Sequence, residues 1–232
     1  MTIGNEVVSG DIENTNASWL ARRLERLGIV VRLVAAVPDE VESIATLVRR
    51  EADEADLVVV TGGLGGTPDD VTREAIAAAF EVAQEEHEEV AGRLRARFTR
   101  APEYAARWAL LPEGARPLEI ERGGAPGFVL ENVYVLPGLP GEMKPMFESI
   151  EEELRRERPI ASWRQTFETR ESEITPLLEV VAERYPEVRV GSYPTFTPDG
   201  PLVEVVVKSA DEETLAAASA WLAAEIVALT SS

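Results

Sequence analysis

Apolar and polar positions alternate along the chain in patterns that change from helical to strand-like several times within about 155 residues. Alternating elements of this kind predict an α/β layer structure with a mostly parallel sheet. The predicted helices lie near residues 14–27, 38–53, 68–98 and 142–157, and the predicted strands near 29–37, 57–60, 128–130 and 133–136. Segment 99–127 is rich in proline and glycine, which predicts an irregular crossing.

The composition changes at Arg158-Pro159, which predicts a boundary between a first domain, 1–158, and a second domain, 159–232. The second domain has the pattern strand, helix, strand, strand, helix, which is typical of a small α+β fold. Only Met1–Ile3 precede the first loop, so the first strand is expected to be a stub. Either a few upstream residues are missing, or the domain tolerates a very short strand there.

Four glycines follow the apolar strand at 57–60, in the sequence TGGLGGTPDDVTREA. Gly62, Gly63, Gly65 and Gly66 permit positive φ angles and a close approach of ligand to backbone, so that amide groups can surround an anion. Pro68 is expected to open the next helix, whose N-terminus favours negative charge. The segment therefore predicts a binding site for the phosphate of a nucleotide or a pterin.

The same residues also fit a purely structural interpretation. Thr67 stands three residues before Asp70, as in a capping box, and Asp70 would then stabilise the start of a helix. Both interpretations remain open at this stage.

Loops that combine glycine with a carboxylate or a hydroxyl follow three separate predicted strands, at residues 4–11, 61–72 and 137–142. Because ligands bind beyond the carboxyl ends of the strands in an open parallel sheet, these loops are expected to converge on one site.

Composition excludes several kinds of chemistry. The chain has no cysteine and one histidine, His87, so thiolate sites, cysteine nucleophiles and multi-histidine metal sites are excluded. A net charge of −19 argues against binding to nucleic acid.

Lys144 and Lys208 are the only lysines of the chain, and the surface is expected to be strongly acidic. This composition favours a salt-loving archaeal source over a merely GC-rich genome. No export signal or apolar stretch of membrane-spanning length is recognised, so a cytoplasmic protein without membrane contact is expected.

The motifs GNEVVSGDIENTN, TGGLGGTPDDVTREA, GGAPGF and LPGLPGEMKPMF closely resemble the competence/damage-inducible protein A (CinA) family. Residues 173–179 and 190–196 resemble the small domain that follows in these proteins. The resemblance is to the archaeal stand-alone type, and it implies a three-layer molybdopterin-binding fold and a homo-oligomer. The chain departs from the family at Trp108, where glutamine is common, and near Ile120, where asparagine is common.

The resemblance implies binding of a phosphorylated nucleotide or pterin and metal-dependent hydrolysis of ADP-ribose or FAD at the pyrophosphate. Asp70, with Asp69 or Glu6, would act in catalysis, and Asp70 and Asp69 would hold Mg²⁺, Mn²⁺ or Co²⁺. The alternative is a non-catalytic protein that binds molybdopterin. The residues expected to contact the ligand are Gly62, Gly63, Leu64, Gly65, Gly66, Thr67, Thr72, Asn14, Asn16, Gly138, Pro140 and Gly141.

Overall fold

The computed structural model of the protein describes residues 1–118, 124–156, 159–198 and 200–230. These residues divide into two units. The first unit consists of Met1–Arg22 and Val31–Leu154, and the second of Arg23–Val30 and Arg155–Ser232.

A six-stranded sheet forms the centre of the first unit, in the order β2-β1-β3-β8-β7-β6. Strands β2, β1, β3 and β8 are parallel, whereas β7 and β6 run antiparallel to their neighbours. The strands are β1 (Thr2–Ile3), β2 (Ala36–Val37), β3 (Val58–Thr61), β6 (Arg116–Leu118), β7 (Gly127–Leu130) and β8 (Val133–Leu136). The antiparallel pair of β4 (Gln84–Glu86) and β5 (Leu110–Pro112) forms a separate small sheet. The expected α/β fold with a mostly parallel sheet is confirmed.

Helices cover both faces of this sheet. The helices in this part of the chain are α1 (Asn5–Val8), α2 (Thr15–Arg26), α3 (Val41–Glu54), α4 (Thr72–Phe80), α5 (Glu88–Arg97), α6 (Pro102–Ala106) and α7 (Pro140–Leu154), with one 3₁₀ turn at Arg107–Ala109. Ile44 of α3 and Ile76 of α4 pack with Val60 and Phe128 in one core cluster. Helix α7 packs against β7, since a Cβ added to Gly127 would lie 2.5 Å from the sulfur atom of Met146.

Two predicted elements differ from the structure. The strand expected at 29–37 is reduced to Ala36–Val37, because its hydrogen-bonding partner β1 is only two residues long. The helix expected at 68–98 is two helices separated by β4, and it begins at Thr72 rather than Pro68. The first of these helices ends where Glu81 adopts the left-handed conformation (φ 57°), after which Gln84–Glu86 pair with β5.

The second unit contains an antiparallel sheet in the order β10-β11-β9 and two helices. Its elements are β9 (Ala161–Phe167), α8 (Glu171–Arg184), β10 (Arg189–Thr197), β11 (Gly200–Ser209) and α9 (Glu212–Thr230). Val203, Val205 and Val207 of β11 point into a core that also includes Ile174 of α8 and Leu222 of α9. This is the expected small α+β arrangement.

Among the described residues one helix, α9, is long enough and apolar enough by composition to cross a membrane. This corrects the expectation that no apolar stretch reaches that length, since α9 carries few charges among its many alanines. Ala218, Leu222 and Ile226 are completely buried in the core of the second unit. Core helices of soluble proteins share this length and apolar composition, so these two properties of α9 are weak evidence for a membrane span.

Gly92 offers a direct test of helix α5. An added methyl group would meet no atom within 4 Å, and the residue is exposed in the helix interior. Gly92→Ala is therefore expected to raise the free energy of unfolding by roughly 0.5–1 kcal/mol, because alanine loses less backbone entropy on folding. Thermal denaturation followed by circular dichroism measures this, and a lower midpoint in the variant would contradict the assignment.

Candidate functional site

The three loops expected at the ligand site converge on one cavity of about 570 Å³, here called the first cavity. The loops follow β1, β3 and β8, and the carboxyl ends of these parallel strands meet at one edge of the sheet. Of the residues expected from the sequence, the cavity is lined by Glu6, Asn14, Asn16, Gly62, Gly63, Leu64, Gly65, Thr67, Asp69, Asp70, Gly138 and Pro140. The convergence of the loops is therefore seen in the structure.

Three of the expected ligand residues lie elsewhere. Thr72 is completely buried beneath Gly62–Gly66, which we call the glycine loop, and its Oγ1 donates a hydrogen bond to the carbonyl oxygen of Gly62 (2.9 Å). Gly66 lines a neighbouring cavity, and Gly141 is exposed in the first turn of α7. Thr72 thus fixes the shape of the glycine loop from below.

A buried arginine that the sequence prediction missed also supports the glycine loop. Arg73 donates hydrogen bonds to the carbonyl oxygens of Leu64 (2.8 Å) and Gly65 (2.9 Å). Burial lowers the pKa of its guanidinium, and the nearby carboxylate of Asp70 opposes that shift. Because the sequence predicts a helix that begins at Pro68, Arg73 would lie in its second turn, and no local pattern distinguishes it from a surface arginine.

The carboxylate of Asp70 accepts hydrogen bonds from the glycine loop and from Thr67. Its Oδ1 accepts a hydrogen bond from the N–H of Gly65 (2.9 Å), and its Oδ2 accepts one from the N–H of Thr67 (2.8 Å) and a short one from the Thr67 hydroxyl. The bond from the Thr67 N–H is the one that the capping interpretation requires. Helix α4 begins only at Thr72, so Asp70 stabilises a turn before the helix.

Asparagine side chains of the first loop have different roles. Asn14 Oδ1 accepts hydrogen bonds from the Thr2 hydroxyl (3.0 Å) and from the N–H of Ala17 (3.1 Å), so it caps the start of α2. Asn16 is 8% exposed, and its Nδ2 donates to the carbonyl oxygen of Gly138 (2.7 Å). Asn16 Oδ1 is buried and has no hydrogen-bond partner among the described residues.

Trp108 contributes the second buried polar atom without a partner in the described part of the chain, its indole Nε1. Trp108 lines the first cavity, and a Cβ placed on Gly124 would lie 3.8 Å from its Cζ3 atom. The sequence marks Trp108 only as a departure from the family's glutamine, because its position depends on how segment 99–118 packs. The position near Ile120 lies outside the described residues.

Carboxylates dominate the charge of the first cavity. Glu6, Glu13, Asp39, Asp69, Asp70 and Glu142 line it, and its described lining contains no lysine, arginine or histidine. Burial raises the pKa of Asp39, a hydrogen bond from the N–H of Asn5 opposes this shift, and the charges of Glu6, Asp69 and Asp70 add to it. The described residues contain no group of three or more histidine, cysteine or acidic side chains placed to hold a metal ion.

Asp39 was missed by the sequence prediction, although a signal was present. It follows β2, whose carboxyl end lies at the same edge of the sheet as those of β1 and β3. A strand of two residues gives too weak a pattern for this neighbour to be identified.

Comparison with known proteins identifies relatives of both units. Residues 1–156 match the family described as "Probable molybdopterin binding domain", and residues 161–230 match "FAD synthase, middle domain". A protein of Archaeoglobus fulgidus is 39% identical over 202 residues, which cover 84% of each chain. A CinA-like protein of Frankia casuarinae is 43% identical over 160 residues, covering 63% of this chain and 37% of that protein.

A solved structure supports the same assignment. The crystal structure of the protein CinA from Thermoplasma acidophilum is 32% identical in sequence to this chain, with a TM-score of 0.63. The match covers 66% of this chain and 94% of that one.

Proposed function

The chain belongs to the molybdopterin-binding domain family, among its CinA-like members, and we propose that the first cavity binds a phosphorylated nucleotide or pterin. The observation that carries this proposal is a buried polar atom at the cavity, Asn16 Oδ1, which has no hydrogen-bond partner among the described residues. A buried polar atom without a hydrogen bond costs about 1–3 kcal/mol, and a ligand that donates a hydrogen bond to Asn16 Oδ1 removes that cost.

Backbone amides supply the contact for a phosphate. The N–H groups of Gly63 and Leu64 make no hydrogen bond to any described residue, whereas their neighbours Gly62 and Gly65 are engaged. Two consecutive free amides beside left-handed glycine backbone form a concavity suited to an oxyanion. The family matches of the two units support a ligand of the pterin or nucleotide type.

We further propose that the ligand is a dinucleotide such as ADP-ribose or FAD, cleaved at its pyrophosphate with a divalent metal ion. The described carboxylates do not by themselves form a closed metal site. Mg²⁺ commonly uses one or two carboxylates together with substrate phosphates. Asp70 and Asp69, with Glu6 and Asp39 beside them, are the cavity carboxylates that would serve this purpose. The hydrogen bonds that Asp70 accepts leave a lone pair on its Oδ1 for a metal ion.

The alternative is a protein that binds molybdopterin without cleaving it. The same free amides and the same unpartnered oxygen of Asn16 serve that function, since phosphate capture does not imply hydrolysis. The two proposals differ in the fate of the bound ligand.

A panel of ADP-ribose, FAD and a phosphorylated pterin, each with and without Mg²⁺, Mn²⁺ and Co²⁺, tests both proposals. We expect at least one compound to raise the thermal midpoint, because binding to the folded state stabilises it. Chromatography that detects AMP only in the metal-containing samples would support hydrolysis. Pterin binding with no AMP would support the alternative, and no binding by any compound would contradict the proposed function.

Asn16→Ala tests whether the bound ligand occupies the first cavity, and Asn132→Ala is its matched control. Both asparagines donate an amide hydrogen bond to backbone carbonyls, but Asn132 contacts Ala52 and Ala55 outside the cavity. Asn16→Ala is expected to weaken ligand binding about tenfold, the equivalent of one hydrogen bond of about 1.4 kcal/mol, and Asn132→Ala should leave binding unchanged. Equal weakening in both variants would place the ligand elsewhere.

A further inference from the structure

A second cavity, of about 370 Å³, lies beside the first and shares part of its wall. Gly65, Thr67, Asp70 and Trp108 line both cavities, so the glycine loop and the indole ring separate them.

The charge of the second cavity differs from that of the first. The described residues that line the first cavity are acidic or uncharged, whereas Arg73 and Arg107 line the second. Arg73 is buried and held in place by the carbonyl oxygens of Leu64 and Gly65. The described lining of the second cavity therefore contains two cations and the carboxylates of Asp70 and Glu74, and the guanidinium of Arg73 is fixed in place.

Arg107 is a cation without a counter-ion in the described part of the protein. Its guanidinium is exposed and forms no ion pair or hydrogen bond there, although the chain contains 42 acidic and 23 basic residues. Glu74 lines the same cavity and forms no ion pair with it. An arginine left unpaired in so acidic a protein is available for an external anion, and its planar guanidinium suits phosphate oxygens.

Two uncharged hydrogen-bond donors, the indole N–H of Trp108 and the hydroxyl of Tyr104, also lie at the second cavity. A Cβ placed on Gly66 would lie 2.9 Å from Trp108 Nε1 and would overlap the hydroxyl of Tyr104, so both groups border the backbone of the glycine loop. The Nε1 atom is buried without a partner, and the Tyr104 hydroxyl makes no hydrogen bond to a described residue. An indole N–H can only donate, so an acceptor such as an anionic oxygen would satisfy it.

We propose that the second cavity is an anion-binding site for a phosphoryl group, in which Arg107 provides the charge and Trp108 Nε1 and the Tyr104 hydroxyl donate hydrogen bonds. The inference goes beyond the proposed function, because it concerns a separate cavity and does not depend on what the first cavity binds. The group is either free phosphate or the phosphate of a nucleotide, and the chemistry at this site is the same for both.

The indole N–H resonance of Trp108 reports on this site directly. The chain has four tryptophans, so two-dimensional NMR shows four indole signals, and Trp108→Phe identifies the relevant one. Sodium phosphate added at constant ionic strength of about 0.15 M is expected to shift the Trp108 signal in a saturable manner and leave the other three in place. An unchanged Trp108 signal, or an equal shift of all four, would overturn the proposal.

Variants of Arg107 test its role. Arg107→Ala is expected to weaken phosphate binding at least about tenfold, Arg107→Lys to retain most of it, and Arg22→Ala, a control at an exposed arginine that lines neither cavity, to leave it unchanged. The three other indole signals show that each variant is folded. Unaltered binding in Arg107→Ala would contradict the site.

A parallel titration with AMP distinguishes the two sources of the phosphoryl group. Tighter saturation by AMP than by phosphate would assign the site to a nucleotide, and equal saturation would assign it to free phosphate. If the dinucleotide panel fails but phosphate still shifts the Trp108 signal, the proposed function is wrong and the anion site stands.

Discussion

Replacing Gly62 with alanine is expected to destabilise the first unit by roughly 3–5 kcal/mol, the largest effect predicted for a single methyl group in this protein. Gly62 has a φ angle of 108°, which residues with a Cβ rarely adopt, and an added Cβ would overlap the carbonyl oxygen of Ile3. That oxygen belongs to β1, which is held between β2 and β3. The backbone therefore has little freedom to move away.

Thermal denaturation measures this effect, with a fall in the midpoint of roughly ten degrees expected for a unit of this size. Gly141→Ala is the control, because an added methyl group at Gly141 meets no atom within 4 Å. Its midpoint is expected to stay close to that of the unsubstituted protein. A Gly62→Ala variant as stable as Gly141→Ala would show that the glycine loop has a different backbone conformation.

Local sequence was sufficient to predict that three loops converge on one cavity. The apolar run of β3, the glycines after it and the similar loops after β1 and β8 each have a short-range signature. One general rule, that ligands bind at the carboxyl ends of parallel strands, then brings the three loops together. The first cavity is lined by all three.

Contacts between distant residues could not be predicted in this way. Asn16 donates to the carbonyl oxygen of Gly138, 122 residues further along the chain, and no periodic pattern encodes that hydrogen bond. Trp108 has the apolar neighbours of a core residue, and only the packing of Tyr104 and Phe98 against it sets the direction of its indole N–H. The second cavity depends on that direction.

The predicted boundaries of helices and strands were wrong where pairing with a distant strand overrode the local preference of the sequence. The acidic, histidine-containing segment around Gln84–Glu86 continues a helical pattern, yet it pairs with Leu110–Pro112 of β5. The length of β2 is set by β1, its partner in the sheet. In both places the deciding partner is a distant segment of the chain.

Asp70 separates the structural and catalytic interpretations of the glycine loop. Asp70→Ala is expected to lower the free energy of unfolding of the first unit by roughly 2–4 kcal/mol, because the N–H groups of Gly65 and Thr67 lose a charged acceptor. The thermal midpoint would fall by roughly 5–10 °C. Ligand binding would weaken in parallel, since the loop that presents the free amides of Gly63 and Leu64 is no longer fixed.

Two further variants make the Asp70 experiment decisive. Asp70→Asn keeps an acceptor oxygen on the same stem, so it is expected to recover part of the lost stability, whereas the exposed neighbour Asp69, replaced with alanine, should leave the midpoint unchanged. If Asp70→Ala instead kept the full midpoint while product formation disappeared, the carboxylate would act on the substrate and the loop would hold its shape without it. A loss of midpoint that Asp70→Asn partly restores, with ligand affinity recovering to the same degree, would establish that Asp70 serves the site by fixing the backbone that surrounds the phosphate.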